Sequence, residues 1–148
     1  MATRGEKVAE GENCVRYVSP RFNDNDLIDG AAFQLRASDE GELSVNLIGT
    51  EEAEHEGAVA LVRRRARIAL KKNGRFAQLS AADVRDALSA AEVLTALDLI
   101  HDPLPAEGEF EADDSHAAIV NLPGPGSEFA ALAGDLLAER IKRVHQAV

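Results

Sequence analysis

Residues 31–47 read AAFQLRASDEGELSVNL, and this stretch decides the fold class. From Ala32 to Arg36 the pattern alternates, with Phe33 and Leu35 on one side. From Leu43 to Leu47 it alternates again, with Leu43, Val45 and Leu47 facing one way and Ser44 and Asn46 the other. Side chains in a strand point alternately to its two faces, so period-two alternation marks a strand with one buried face. Ser38-Asp39-Glu40-Gly41 lies between the two runs and is made of turn formers. The stretch predicts a β-hairpin.

Strand character continues upstream. Val15 and Tyr17 alternate with Arg16 in a short run from Cys14 to Val18, and Ser19-Pro20 ends it, because proline has no N–H to give a ladder. Asn23-Asp24-Asn25-Asp26 and Asp29-Gly30 then predict a loop.

Downstream the period changes. Thr50 is placed to cap a helix, Glu51, Glu52, Glu54 and Glu56 crowd its start, and Arg63, Arg64, Arg65, Arg67, Lys71 and Lys72 crowd its end before Asn73-Gly74. Acids at the N-terminus and bases at the C-terminus complement the helix dipole. The spacing predicts a helix over 51–72, with Val59, Val62, Ala66, Ala69 and Leu70 on one face. Arg75 to Leu79 reads as a strand. Ser80 then caps a short helix, with Asp83 three residues on and Val84, Ala87, Leu88 and Ala91 as its apolar face.

Leu94 to His101 fits either more helix or a strand that points Leu97, Leu99 and His101 together; Asp102-Pro103 ends it in either case. Glu107 to Asp114 holds five acids in eight residues and reads as a mobile loop. Ala117 to Leu122 is a short apolar strand. Pro123-Gly124-Pro125-Gly126 breaks the chain, and Ser127 starts a final helix reading to Val148.

These elements predict an α+β fold: an N-terminal β-hairpin and a mixed, mostly antiparallel sheet, with about three helices packed on one face. Residues 1–13 read as a charged, disordered lead-in and 14–148 as a single domain. A chain of 148 residues is long enough to bury a core, which Leu, Val, Ile and Ala must fill, since there is no Trp and aromatics are few.

The formal charge is −10, from 16 Lys and Arg against 26 Asp and Glu, which argues against a nucleic-acid partner. Cys14, the single cysteine, forms no internal disulfide or thiolate cluster, and the simplest compartment is a reducing cytoplasm. No apolar run approaches the roughly 20 residues that cross a bilayer, and the N-terminus lacks the apolar region of a signal peptide. Abundant Ala and Arg suggest a GC-rich bacterial genome.

Ala32-Phe33-Gln34-Leu35-Arg36 with Leu43-Ser44-Val45-Asn46 resembles a hairpin of an uncharacterised family of small bacterial proteins. Phe76-Ala77-Gln78-Leu79, His101-Asp102-Pro103 and Asp114-Ser115-His116-Ala117 resemble later landmarks of the same family. The resemblance spans residues 14–122 in short motifs and implies no activity or ligand. It favours a strand at Leu94–His101, and it singles out His101 and His116 over His55 and His145.

The first candidate site is catalytic: His101, Asp102, Asp114, Ser115 and His116. Two imidazoles and two carboxylates at strand ends could hold a divalent metal or act as acid and base. The same Asp and Ser residues also serve as ordinary turn caps. The second is a basic arc, Arg63, Arg64, Arg67 and Lys71, suited to phosphate or an acidic partner, or simply to pairing with the chain's own acids. The acidic run Glu107–Asp114 invites Ca²⁺, as do Asp24, Asp26 and Asp29, but no spacing here matches a calcium loop. Nucleotide-binding motifs, HExxH and CxxC are absent, and no cofactor is evident.

Two functions follow. One is an accessory or regulatory protein acting through a protein partner or self-association, for which helix 127–148 offers an apolar arc. The other is a metal-assisted or acid/base hydrolase centred on His101 and His116.

Overall fold

The computed structural model describes residues 2–92 and 94–148. Its central strand is Asn13–Val18 (β1), which is apolar on both faces: Cys14 and Val18 are buried on one side and Val15 on the other. A strand buried on both faces belongs in mid-sheet, and β1 lies between Leu43–Gly49 (β4) and Arg75–Ser80 (β5). Before β4 comes a small separate hairpin, Asn23–Asp24 (β2) and Leu27–Ile28 (β3). It turns on Asn25 and Asp26, both at positive φ, a conformation that Asn and Asp tolerate better than most residues.

The remaining elements are Glu52–Arg65 (α1), Ala81–Asp86 (α2), Asp98–His101 (β6), His116–Val120 (β7), Ala130–Ala138 (α3) and Arg143–Gln146 (β8). Among the described residues six strands form the main sheet in the order β6-β7-β4-β1-β5-β8, every neighbouring pair antiparallel. The fold is α+β. No helix among the described residues is long and apolar enough to cross a membrane.

The helices do not share one face, as expected, but take both. Cys14, Leu43, Leu79, Leu99 and Ile119 pack with Val84 of α2 and Leu137 of α3 on one side. Val15, Ile48 and Phe76 pack with Val59 and Val62 of α1 on the other. Burying one such valine is worth about 1.5–3 kcal/mol, so α1 docks through a few residues although most of it is polar.

The expected hairpin 32–47 loses its first arm. Gly30–Phe33 is a 3-10 turn, capped by Asp29, whose Oδ1 accepts from the Ala31 N–H at 2.9 Å. β4 has no free edge for residues 32–36, because β1 and β7 hold both its sides. Phe33 and Leu35 instead plug the larger core, and α3 crosses the turn so closely that a side chain at Gly134 would meet the Gly30 carbonyl.

Helix 51–72 is also shorter than expected. Its N-cap is Glu51, not Thr50, and it stops at Arg65, with Ala66 extended (ψ 131°). Fourteen residues give a helix of about 21 Å, close to the roughly 23 Å of the seven-residue strand β4 beneath it. A 22-residue helix would overshoot the sheet. Leu70 packs against the smaller core, and the Lys71 N–H donates to the Tyr17 hydroxyl at 3.1 Å.

The final helix 127–148 divides into α3 and β8. The reason lies in β5, which is buried from Phe76 to Ser80. Its outer N–H and C=O groups cannot reach water and need a partner strand, and β8 supplies one. The lead-in 1–13 is likewise ordered over the residues described, Met1 lying outside them. The Gly5 N–H donates to the His101 carbonyl (2.9 Å) and the Val8 N–H to the Leu99 carbonyl (3.0 Å), so residues 5–8 cover the edge of β6 and Val8 is buried.

Candidate functional site

β6 and β7 bring the HDP and DSH segments side by side, with His101 opposite Ala117. Paired residues of an antiparallel ladder project to the same face, and successive residues to opposite faces. His101 therefore shares the face of Leu99 and Ile119, toward the larger core. His116 projects to the other face, beside Asn46 of β4, its register partner. The two imidazoles do not share a site. Among the described residues no three His, Cys, Asp or Glu side chains gather as a metal ion would require.

His116 does meet Asp102. Its Nδ1 lies 2.9 Å from the Asp102 carbonyl oxygen and 3.2 Å from Oδ2. A carbonyl only accepts, so Nδ1 carries the proton and Nε2 is the basic nitrogen. Arg4 of the N-terminal arm donates to Asp102 Oδ1 at 3.1 Å.

Asp113, rather than Asp114, is the structural acid. Asp114 is exposed, whereas Asp113 is buried and fully bonded. Its Oδ1 accepts from the Ser115 N–H (3.1 Å) and Oγ (2.7 Å), and its Oδ2 from Asn46 Nδ2 (2.8 Å). Asn46 also donates to Ser115 Oγ at 2.9 Å. The Ser115 hydroxyl is thus committed to Asp113 and Asn46, with no bond to the His116 imidazole that would activate it. The Asp-x-Ser pattern of an Asx turn was the available clue to Asp113.

The acidic run forms a strap. The Leu104 and Asp113 backbones exchange two hydrogen bonds of 2.9 Å, and those of Glu107 and Phe110 bonds of 3.0 and 2.9 Å, around Gly108 at φ +58°. This small hairpin is pinned to the basic end of α1. Arg64 and Arg65 both donate to Glu111 Oε1, at 2.9 and 2.7 Å, and hold its carboxyl below the usual range. Arg67 Nη2 donates to the Pro105 and Glu111 carbonyls (2.7 and 3.0 Å), and its guanidinium lies 5.5 Å from the centre of the Phe110 ring. The Arg67 Nε is buried without a partner. Of the remaining arc, Arg63 donates twice to the Gln146 carbonyl (3.0 and 2.6 Å), tying α1 to β8, and Lys71 is exposed.

Between strap, sheet and residues 66–70 lies a cleft of about 270 Å³. Its walls are largely apolar, with Val62, Leu70, Phe76 and Leu104, and His116, Asp113, Arg65 and Arg67 supply polar groups.

The histidines passed over in the sequence form a buried network under α1. His55 Nε2 donates to the Gly49 carbonyl (3.1 Å), leaving Nδ1 to accept from Gln78 Nε2 (3.3 Å). Gln78 Oε1 accepts from His145 Nε2 at 2.8 Å, and its Nε2 also reaches Asn13 Oδ1 at 3.3 Å. Burial, then Arg143 and Arg63, lower the His145 pKa, so the ring is held neutral. No sequence spacing signals this set, because its members come from five elements. The chain matches no protein-family model, no curated protein and no solved structure.

Proposed function

We propose that this is a small accessory or regulatory protein of the bacterial cytoplasm, acting through protein contacts at the face made by the end of α1, residues 66–70 and the strap. The observation that carries the reading is a pair of exposed apolar side chains on neighbouring segments. Ile68 is 58% exposed and Phe110 is 40% exposed, and Arg67 bridges them by lying over the Phe110 ring. Aromatic residues with arginine are the composition that dominates binding at protein interfaces. The adjoining cleft offers a recess for a partner's side chain.

The test is quantitative co-purification of the tagged protein and of an Ile68→Asp variant with unchanged circular dichroism. A partner recovered with the parent and lost with the variant supports the reading. Equal recovery contradicts it. Sedimentation of the pure protein separates self-association from a different partner.

A second reading, an acid/base hydrolase, is favoured by one observation: Asp102 orients His116 at the wall of the cleft. It now rests on His116 and Asp102, without His101. Hydrolysis of a panel of chromogenic esters and phosphoesters that His116→Ala abolishes, with the melting temperature kept, would support it.

A further inference from the structure

The strap is itself bound. Within seven residues, Pro105 to Glu111, it presents a carboxylate to Arg64 and Arg65, the Pro105 and Glu111 backbone carbonyls to Arg67, and an aromatic ring beneath the Arg67 guanidinium. The Glu107 carboxylate stands 3.8 Å from Arg67 Nη1. Every one of these contacts is a way in which arginines recognise an acidic, aromatic-bearing peptide.

The grip is also weak enough to exchange. Arg64 is 66% and Glu111 49% exposed, so their ion pair is solvated and screened by salt. Arg67 keeps a buried Nε–H with no acceptor, so the closed arrangement leaves one strong donor unanswered. Arg65 and Arg67 are less exposed, but their carboxylate partners Glu111 and Glu107 are open to solvent, so a segment of the same chemistry that makes one more bond can displace this part of the strap from the arginines.

We propose that the basic end of α1, Arg64 and Arg65, together with Arg67 just beyond it, is a receptor for an acidic segment of a partner protein bearing an aromatic residue, and that the strap occupies it in cis as a built-in competitor. This inference rests on the contact reading and names the partner's chemistry. Displacement of the strap also uncovers the Leu104 wall of the cleft, so binding would open the recess beside His116.

The probe is a labelled peptide of residues 105–113, PAEGEFEAD, followed by fluorescence anisotropy on the full chain. Three proteins are compared: the parent, Glu107→Gln/Glu111→Gln, and that variant with Arg64→Gln/Arg65→Gln added. Each exposed pair is worth up to a factor of about five. The neutralised strap should therefore bind the peptide roughly tenfold more tightly than the parent does. Adding the arginine substitutions should remove binding, and raising salt from 50 to 500 mM should weaken it. A peptide with Phe110 replaced by Ala should bind less well.

Failure of the neutralised strap to bind, equal binding by the parent, or indifference to Arg64 and Arg65 would each overturn the inference. Should the Ile68→Asp variant still lose a co-purified partner in that event, the contact surface stands and only its acidic ligand falls. Hydrogen exchange provides a readout without peptide. Glu107→Gln/Glu111→Gln should speed exchange at the Leu104, Glu107, Phe110 and Asp113 amides, and unchanged exchange would show that the strap is not held by these pairs.

Discussion

Asp113→Asn isolates the bonding that fixes the strap's base to the sheet. The carboxylate accepts three hydrogen bonds, two at Oδ1 from Ser115 and one at Oδ2 from Asn46. The amide keeps the first two and turns an NH₂ toward the Asn46 NH₂. Rotating Asn46 does not rescue the arrangement, because its Nδ2 also donates to Ser115 Oγ, whose single proton is already given to Asp113. One bond is lost whichever way the amides turn, and those that remain no longer reach a charged acceptor, a cost of about 1.5–3 kcal/mol. For a chain of this length that lowers the melting temperature by about 4–10 °C. Thermal unfolding followed by circular dichroism measures it, with Asp114→Asn, an exposed position, as the control that should change stability by less than about 0.5 kcal/mol. Equal melting of the two variants, or a larger loss at Asp114, would refute the assignment of Asp113 as the bonded acid.

Val62→Asp places a charge among Val15, Phe76 and Val59 and should cost several kcal/mol, on the order of 3 or more, read as a lower urea midpoint. Gly134→Ala should destabilise despite lying in a helix, where alanine is usually better, because its methyl falls on the Gly30 carbonyl; a raised melting temperature would show that α3 can move off the turn. His145 has its pKa lowered in the fold, so below about 6.5, the value of an unconstrained histidine, the unfolded chain binds the extra proton. Its contribution is complete above that pH and is lost as pH falls through the folded value, so the urea midpoint should decline from pH 7 toward 5, and less so in His145→Gln.

What the sequence revealed depended on whether the cause was local. Ser80 and Asp83 announce the start of α2 because a cap is made by residues three apart, and the Ser80 Oγ does accept from the Asp83 N–H at 3.0 Å. β1, β5 and β7 showed in their own apolar runs. Phe33 and Leu35 misled because both are buried in one core, which reproduces strand alternation on a backbone that is first a 3-10 turn. Val144 and Val148 fit a helical stripe as well as a strand, and only the unpaired edge of β5 selects the strand. The site follows the same division. The sequence offered His101, Asp102, Asp114, Ser115 and His116 as one group at strand ends, but the face to which each histidine points is fixed by register with Ala117 and Asn46, which no single segment contains. The arginine arc was legible as charge; its occupation by Glu111 is a contact between residues more than 45 apart, and nothing local encodes it.

The contact surface can be located directly by hydrogen-exchange footprinting of the protein alone and in complex with the partner recovered by co-purification. Protection concentrated in residues 64–70, with faster exchange at the strap amides of residues 104–113 as the partner displaces it, is the predicted result. Protection confined to other surfaces, such as the β2–β3 hairpin with its exposed Leu27 or the outer edge of β8, would contradict the assignment of the α1 and strap face as the place where this protein meets its partner.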